Sequence, residues 1–213
     1  MSRKITKVIQ HSRNPHRYHI YVNDEYAFSV HEDVVVDKRL LKGKAVDEAE
    51  LEAIVKEEEK KKIERAGLRY LSYRPRTQSE MRVYLQQKGF DQALIEEVIV
   101  KWVGEGYLND EAFAVQWIEE RLSTKHKGRY LLRQELKEKG IDEQVIRSAL
   151  SRIDHRAEQE ACLKLAQKRM KRYEGLEPTK RKHKLFAYLS QRGYPLHVIE
   201  TVYEQLMDDE HDF

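Results

Sequence analysis

Eleven basic side chains carry the clearest chemistry in this sequence. With Leu85, Leu136 and Leu189 as fixed points, the residue nine positions earlier is Arg76, Lys127 or Lys180, basic each time. Eleven positions earlier stand Arg74 and Lys125, with Pro178 in the third case. Three positions earlier stand Arg82 and Arg133, with Phe186 in the third. Arg129, Arg181, Lys182 and Lys184 enlarge the second and third groups. Cationic groups repeated at a regular interval suit a polyanion such as a phosphate backbone, or an acidic protein groove. The bland reading is a solvated surface, because 40 Lys and Arg are spread over the chain. Tyr70, Tyr73, Tyr84, Tyr107, Tyr130 and Tyr188 could stack on bases, but their helical spacing favours packing.

Other chemistry is poorly represented. Nine His do not cluster with Asp or Glu at metal-ligand spacing, and His16 and His19 lack a Cys or carboxylate partner pattern. His155 and Glu158 share a helical turn, as charged helices often provide by chance. There is no Gly-rich phosphate loop, nucleophile elbow or His-Glu-x-x-His. No catalytic, cofactor-binding or metal-binding residue is therefore assigned. Cys162 stands in an Ala-Cys-Leu context that reads as core. A single Cys allows no internal disulfide and fits a reducing compartment.

The elements that position the basic groups follow from a repeat. Each unit has a Leu, a basic residue before a Gly, and then apolar positions: Leu85, Lys88, Gly89, Phe90, Ile95 and Val98; Leu136, Lys139, Gly140, Ile141, Ile146 and Ala149; Leu189, Arg192, Gly193, Tyr194, Ile199 and Val202. Met81, Leu132 and Leu185 lie four residues upstream on the same helix face. Each Gly should end a helix in positive φ, with Lys88, Lys139 and Arg192 complementing the helix dipole. Asp91 and Asp142 then cap the next helix, and Pro195 fits a first turn. Thr77-Gln-Ser-Glu80 reads as a capping box, and Pro178-Thr179 marks a similar start. Each unit is thus three helices, with the basic groups at the junction of the first and second. Stacked helices pack 8–10 Å apart, which would place equivalent turns roughly 20–30 Å apart along one face.

The first 45 residues follow a different period. Tyr18, Ile20 and Val22 alternate with polar positions, as do Tyr26, Phe28 and Val30, with Asn23-Asp24-Glu25 as a tight turn. A short helix around Val34-Val-Val, with Leu40-Leu41, should cover one face. Further on, Leu51, Ile54, Val55, Ile63, Ala66 and Tyr70 mark a long helix whose Glu57-Glu-Glu-Lys-Lys-Lys segment reads as a solvated face. The fold class is mainly α: three tandem three-helix repeats in a short curved solenoid, with a small N-terminal antiparallel β-hairpin or meander. The expected divisions are 1–46 for the β-rich module, 47–105 for a linking helix and repeat 1, 106–152 for repeat 2, and 153–213 for repeat 3 with an acidic tail.

Net charge is only +3, but it is unevenly spread. Residues 121–140 hold seven basic side chains against two acidic, and residues 164–184 hold nine against two. Residues 200–213 hold six acidic and none basic. The basic middle supplies a localised field for an acidic partner. No apolar run of signal-peptide or membrane-spanning length occurs, so a cytoplasmic location is expected.

Four segments carry a family resemblance. Tyr73-Arg-Pro-Arg-Thr-Gln-Ser-Glu80, Leu85-x-x-Lys-Gly-Phe90, Gly106-Tyr-Leu-Asn-Asp-Glu-Ala-Phe113 and Leu136-x-x-Lys-Gly-Ile141 together resemble the RecX regulatory proteins. The resemblance extends over about residues 65–205, more loosely in the third unit. It implies tandem three-helix repeats and a modulator, usually an inhibitor, of the RecA recombinase. Such a protein would lie in the groove of the RecA–DNA filament, lower its ATPase and strand exchange, and bind single- and double-stranded DNA. It would have no catalytic centre or cofactor and would act in homologous recombination, DNA repair and the SOS response; separately, the chain is expected to be a monomer. A general DNA-binding repeat protein that competes for DNA is the alternative.

Overall fold

The computed structural model describes residues 3–211. The chain divides into two units: residues up to Arg74 with Arg82–Trp102, and Pro75–Met81 with Val103 onward.

The first unit begins with an antiparallel sheet of β1 (Arg3–His11), β2 (Asn14–Val22), β3 (Glu25–His31) and β4 (Ala45–Val46), in the order β3-β2-β1-β4. The short β4 extends the expected meander by one strand. Asn23 and Asp24 both take positive φ, 50° and 66°. This pairing turns a two-residue hairpin with the strand twist, and Asn and Asp tolerate it well. Ile5, Ile20, Val22 and Val30 form the buried face, covered by Val34 of α1 (Glu32–Asp37), Leu40 and Ile54.

Two expectations fail in this region. Tyr26 is exposed, because the β2–β3 register shifts between Ile20 and Tyr21, so that Phe28 pairs with Ile20 but Tyr26 with Tyr21. Such a bulge turns the following side chains to the other face. Leu41 is also exposed, while Leu40 is buried.

The long helix α2 (Glu48–Leu71) opens on an Asp47 cap. It buries Ile54 and Ile63 but exposes Val55. Glu58, read as part of a solvated face, is buried instead. Its carboxylate accepts hydrogen bonds from Arg17 Nη1 at 3.2 Å and from the His31 backbone N–H at 2.8 Å. The remaining first-unit positions come from α3 (Gln78–Gln87), whose first turn belongs to the second unit, and from α4 (Gln92–Gly104). Leu85, Ile95, Val98, Ile99 and Trp102 are buried there, and Tyr70 stacks on Tyr84 with ring centroids 4.0 Å apart.

The second unit holds two three-helix repeats. One is α5 (Asp110–Lys125), α6 (Arg129–Glu138) and α7 (Glu143–Ser151). The other is α8 (His155–Met170), with a 3₁₀ turn at Lys171–Tyr173, then α9 (Pro178–Gln191) and α10 (Leu196–His211). Leu132, Leu136 and Ile146 anchor the first core, and Leu185, Leu189 and Ile199 the second, as the repeat dictates. Cys162 is buried, and burial raises its thiol pKa to about 12, with Glu158 adding to the rise. Pro195 stands one residue before α10, and its carbonyl accepts the first-turn N–H groups of Val198 and Ile199. Pro178 is the first residue of α9, and its cap is Glu177 rather than Thr179. Among the described residues, no helix is long and apolar enough to cross a membrane.

Candidate functional site

The basic turns of the second unit are held by backbone contacts. The turn after α5 passes through His126 in the left-handed region, φ 47°. Gly128 N–H donates to Arg192 O at 2.8 Å, and Tyr130 N–H to Gly193 O at 3.0 Å. Arg192 Nη2 donates to Lys125 O at 2.6 Å, and the Tyr194 hydroxyl to His126 O at 3.0 Å. A Cβ on Gly193 would lie 2.6 Å from Leu131 N, and one on Gly128 would lie 2.3 Å from Gly193 C. The glycine of one repeat therefore presses on the start of the middle helix in the repeat before.

The segment 75–81 shows the same arrangement one repeat earlier. The capping box expected there is present, with Glu80 N–H to Thr77 Oγ1 at 3.1 Å and Thr77 N–H to Glu80 Oε2 at 3.3 Å. Thr77 Oγ1 also donates to Lys139 O at 2.8 Å, and a Cβ on Gly140 would meet Ser79 Oγ at 2.2 Å. Lys139 Nζ pairs with Glu80 at 2.8 Å and lies 4.3 Å from the Trp117 ring centre. Lys139 and Arg192 thus bridge repeats, which is more than the dipole role expected of them. Lys88 lies over the Tyr84 ring. Gly89 has positive φ like the others, but open space around its Cβ position.

The eleven basic candidates fall into different environments. Arg82 Nε donates to both Glu96 oxygens, at 2.8 and 3.0 Å. Lys127 pairs with Glu135, which also accepts from Trp117 Nε1 at 2.9 Å. Arg133 and Lys137 share Glu143, whose pKa is lowered by hydrogen bonds from Lys137 and then Arg133. Arg129 holds the fully buried Glu158 through Nε at 3.0 Å and Nη2 at 2.5 Å, and this hydrogen bonding raises the guanidinium pKa. These four cations are largely spent on carboxylates of their own unit.

The other candidates are differently placed. Lys125, Lys180, Lys182 and Lys184 are exposed, and none has a carboxylate partner among the described residues. Lys182 lies over Phe186 and Tyr203, 5.4 and 5.0 Å from the ring centres, and Lys184 lies 6.0 Å from the centre of Tyr173. Arg74 is exposed, and Arg76 and Arg181 are half-buried. One expectation is corrected here. In repeat 3 the basic residues do not occupy a turn between helices, because α9 starts at Pro178, eleven residues before Leu189, whereas α6 starts seven before Leu136. Lys180, Arg181, Lys182 and Lys184 lie on α9 itself.

Sequence reasoning left out four residues. Lys164, Lys168, Lys171 and Arg172 are exposed on α8 and the 3₁₀ turn, again without a carboxylate partner among the described residues. The nine-to-two charge excess over 164–184 is the signal that pointed to them. Arg169, between them, turns inward over Tyr188 at 4.3 Å and donates to the Tyr173 hydroxyl at 3.0 Å. Tyr73, Tyr107 and Tyr130 are exposed, unlike the packed Tyr70, Tyr84 and Tyr188.

The arrangement defines a class: three-helix repeats whose glycine turns press on the repeat before, preceded in the chain by a small β module, with a group of exposed cations on the last repeat. The comparisons narrow this class. Models of the first, second and third RecX three-helix domains match residues 65–101, 109–150 and 157–203, and the RecX N-terminal domain matches residues 3–47. Regulatory protein RecX of Bacillus cytotoxicus is 32% identical over 212 residues, covering 98% of this chain and 78% of the relative. That of Bacillus licheniformis is 35% identical over 201 residues, covering 94% and 76%. A crystal structure of a regulatory protein RecX superposes with TM-score 0.81 at 31% identity, over 96% of this chain and all of the other. RecX from Lactobacillus salivarius gives 0.68 at 27% identity, over 70% and 96%. The chain belongs to the RecX family of regulatory proteins.

Proposed function

We propose that this chain binds the RecA recombinase–DNA filament in the cytoplasm and modulates it, mostly by inhibiting ATPase and recombination, with no catalysis of its own. Family membership motivates the partner. The observation that carries the interface is the group of exposed cations on α8, the 3₁₀ turn and α9: Lys164, Lys168, Lys171, Arg172, Lys180 and Lys184. Amines without carboxylate partners keep their full attraction for phosphate, while those already paired must first give up a partner. Lys125 belongs with the exposed group, and Arg82, Lys127, Arg129 and Arg133 serve mainly to hold the fold.

The test is an ATPase titration of the matched recombinase on single-stranded DNA. Inhibition by the parent chain is expected at stoichiometric amounts, and weaker inhibition by a Lys171→Ala, Lys180→Ala, Lys184→Ala variant. Unchanged ATPase at excess parent chain would remove the proposal. The same cations also favour a second reading, a DNA-binding protein that only competes for DNA. Binding to recombinase without DNA would exclude that reading.

A further inference from the structure

Two bulges decide what the outer face of the N-terminal sheet carries. In β1 the register passes from Ile5 opposite Val22 to Lys7 opposite Tyr21, and in β3 from Phe28 opposite Ile20 to Tyr26 opposite Tyr21. A regular register would set Thr6 and Ala27 beside Tyr21. The extra residue in each strand turns Lys7 and Tyr26 away from the core instead. Lys7, Tyr21 and Tyr26 thus form one row across three strands, while Ile5, Ile20, Val22 and Val30 lie in the core on the opposite face. The rings touch in a line. His11 and His19 have centroids 4.9 Å apart, His19 and Tyr26 5.7 Å, and Tyr26 and Tyr21 5.9 Å. The Tyr26 hydroxyl donates to Ser29 Oγ at 3.3 Å, and Ser29 Oγ lies 2.7 Å from His19 Nδ1, which holds these rings in place. Tyr26 remains 56% exposed.

The same surface is cationic. Residues 3–22 carry five Lys or Arg and no Asp or Glu. Lys7 Nζ lies 5.9 Å from the Tyr21 ring centre. Its carboxylate neighbour, Asp24, is 3.9 Å away with both side chains exposed, so that pair holds Lys7 weakly. Lys4, which alternates with the buried Ile5, and Arg13, in the β1–β2 turn, are exposed and have no carboxylate partner among the described residues. The other two imidazoles of the module are engaged elsewhere. His16 Nδ1 lies 2.7 Å from Glu32 Oε1, a carboxylate partner not expected of it, and His31 Nδ1 lies 3.0 Å from Asp33 Oδ2.

We propose that this face binds single-stranded DNA, with bases stacked on Tyr26 and Tyr21 and phosphates held by Lys7, Lys4 and Arg13. Unpaired bases offer a π face to aromatic side chains, and a cationic border follows the backbone. A duplex keeps its bases stacked within itself and offers no such face. The choice of DNA rests on the filament reading above; the stacking surface does not. It belongs to the first unit, whereas the lysines of α8 and α9 belong to the second.

The experiment is fluorescence anisotropy of the full chain with labelled oligo(dT), run without recombinase. A failure of ATPase inhibition would then remove the filament reading and leave this binding to be judged by itself. Lys171→Ala, Lys180→Ala, Lys184→Ala serves as the background, which silences the second-unit cations. Added to it, Tyr26→Ala should weaken binding at least about fivefold, with the salt slope and the thermal melt unchanged. Tyr26→Phe, which keeps the ring, should bind like the background. Lys7→Ala should instead flatten the log–log salt slope by about 0.7. Photo-crosslinking with 5-iododeoxyuridine should mark the peptide that holds Tyr21 and Tyr26. Undiminished binding by Tyr26→Ala would overturn the proposal, as would crosslinks confined to the second unit. An equal loss of duplex binding would overturn stacking, and tighter binding of oligo(U) than of oligo(dT) would overturn the choice of DNA.

Discussion

The turn between α5 and α6 and the segment between α8 and α9 occupy corresponding places in two repeats, yet they are built differently. The first is locked: its backbone donates to Arg192 and Gly193 and its side chains pair with Glu135 and Glu158. The second is capped locally, by Glu177 accepting from the Thr179 and Lys180 N–H groups, and its lysines face solvent. One position marks the change. Eight residues before the anchor Leu stand Thr77, Gly128 and Arg181. Thr77 and Gly128 each bond to a neighbouring repeat. An Arg side chain at that position is too large for the approach Gly128 makes to Gly193. The lesson is that equivalent basic residues in a repeat do not share a role: a carboxylate within reach turns Arg82, Lys127, Arg129 and Arg133 into fold elements, whether it comes from the same repeat or, for Arg129, from the next.

That contrast can be broken first at Arg129. Arg129→Met leaves the fully buried Glu158 carboxylate without its cation, and about 3–5 kcal/mol of stability should be lost in urea denaturation. A loss below about 1 kcal/mol would mean that the pair behaves like a surface bridge. Next come the glycines. Gly193→Ala combines left-handed strain, about 1–2 kcal/mol, with a backbone collision worth about 1–3 kcal/mol more. Gly89→Ala faces open space and should cost only the strain. Equal losses would show that the close approach between repeats contributes nothing.

The interface side of the comparison is tested by salt. Each of Lys180→Ala and Lys184→Ala should flatten the log–log salt dependence of DNA affinity by about 0.9 per lost phosphate contact. Lys127→Ala and Arg133→Ala should barely change it. The reverse pattern would exchange the roles assigned to the two regions. The smallest effect concerns the α9 cap. Hydrogen bonds from the Thr179 and then the Lys180 backbone hold the Glu177 pKa below its usual value. A depressed carboxylate stabilises the fold above its unfolded pKa and loses that contribution as pH falls through the folded one. Glu177→Gln should therefore lessen the acid sensitivity of α9, read by amide exchange of Thr179 and Lys180.

Much of the fold was legible because it rests on local rules. The switch from period two to helical period separated the sheet from the repeats, and glycines, Asp caps and the Thr77–Glu80 box marked helix ends. The candidate site was less legible. Arg82, Lys127 and Lys180 look alike in a sequence, and only Glu96 and Glu135 in space distinguish them. Glu58 sits within a charged helical run that reads as solvent-facing, and Glu158 reads only as a chance neighbour of His155, yet both are buried against arginines distant in sequence, Arg17 and Arg129.

The sequence by itself determined the three repeats, their helix ends, the cationic segments and the separate β module, because each follows from side-chain period and backbone preference over a few residues. Tertiary structure alone decided which cations remain available, why the glycines must be glycine, and that His16 meets Glu32. Those outcomes depend on close approach between groups tens of residues apart, where a difference of about an ångström separates a salt bridge from a solvated charge.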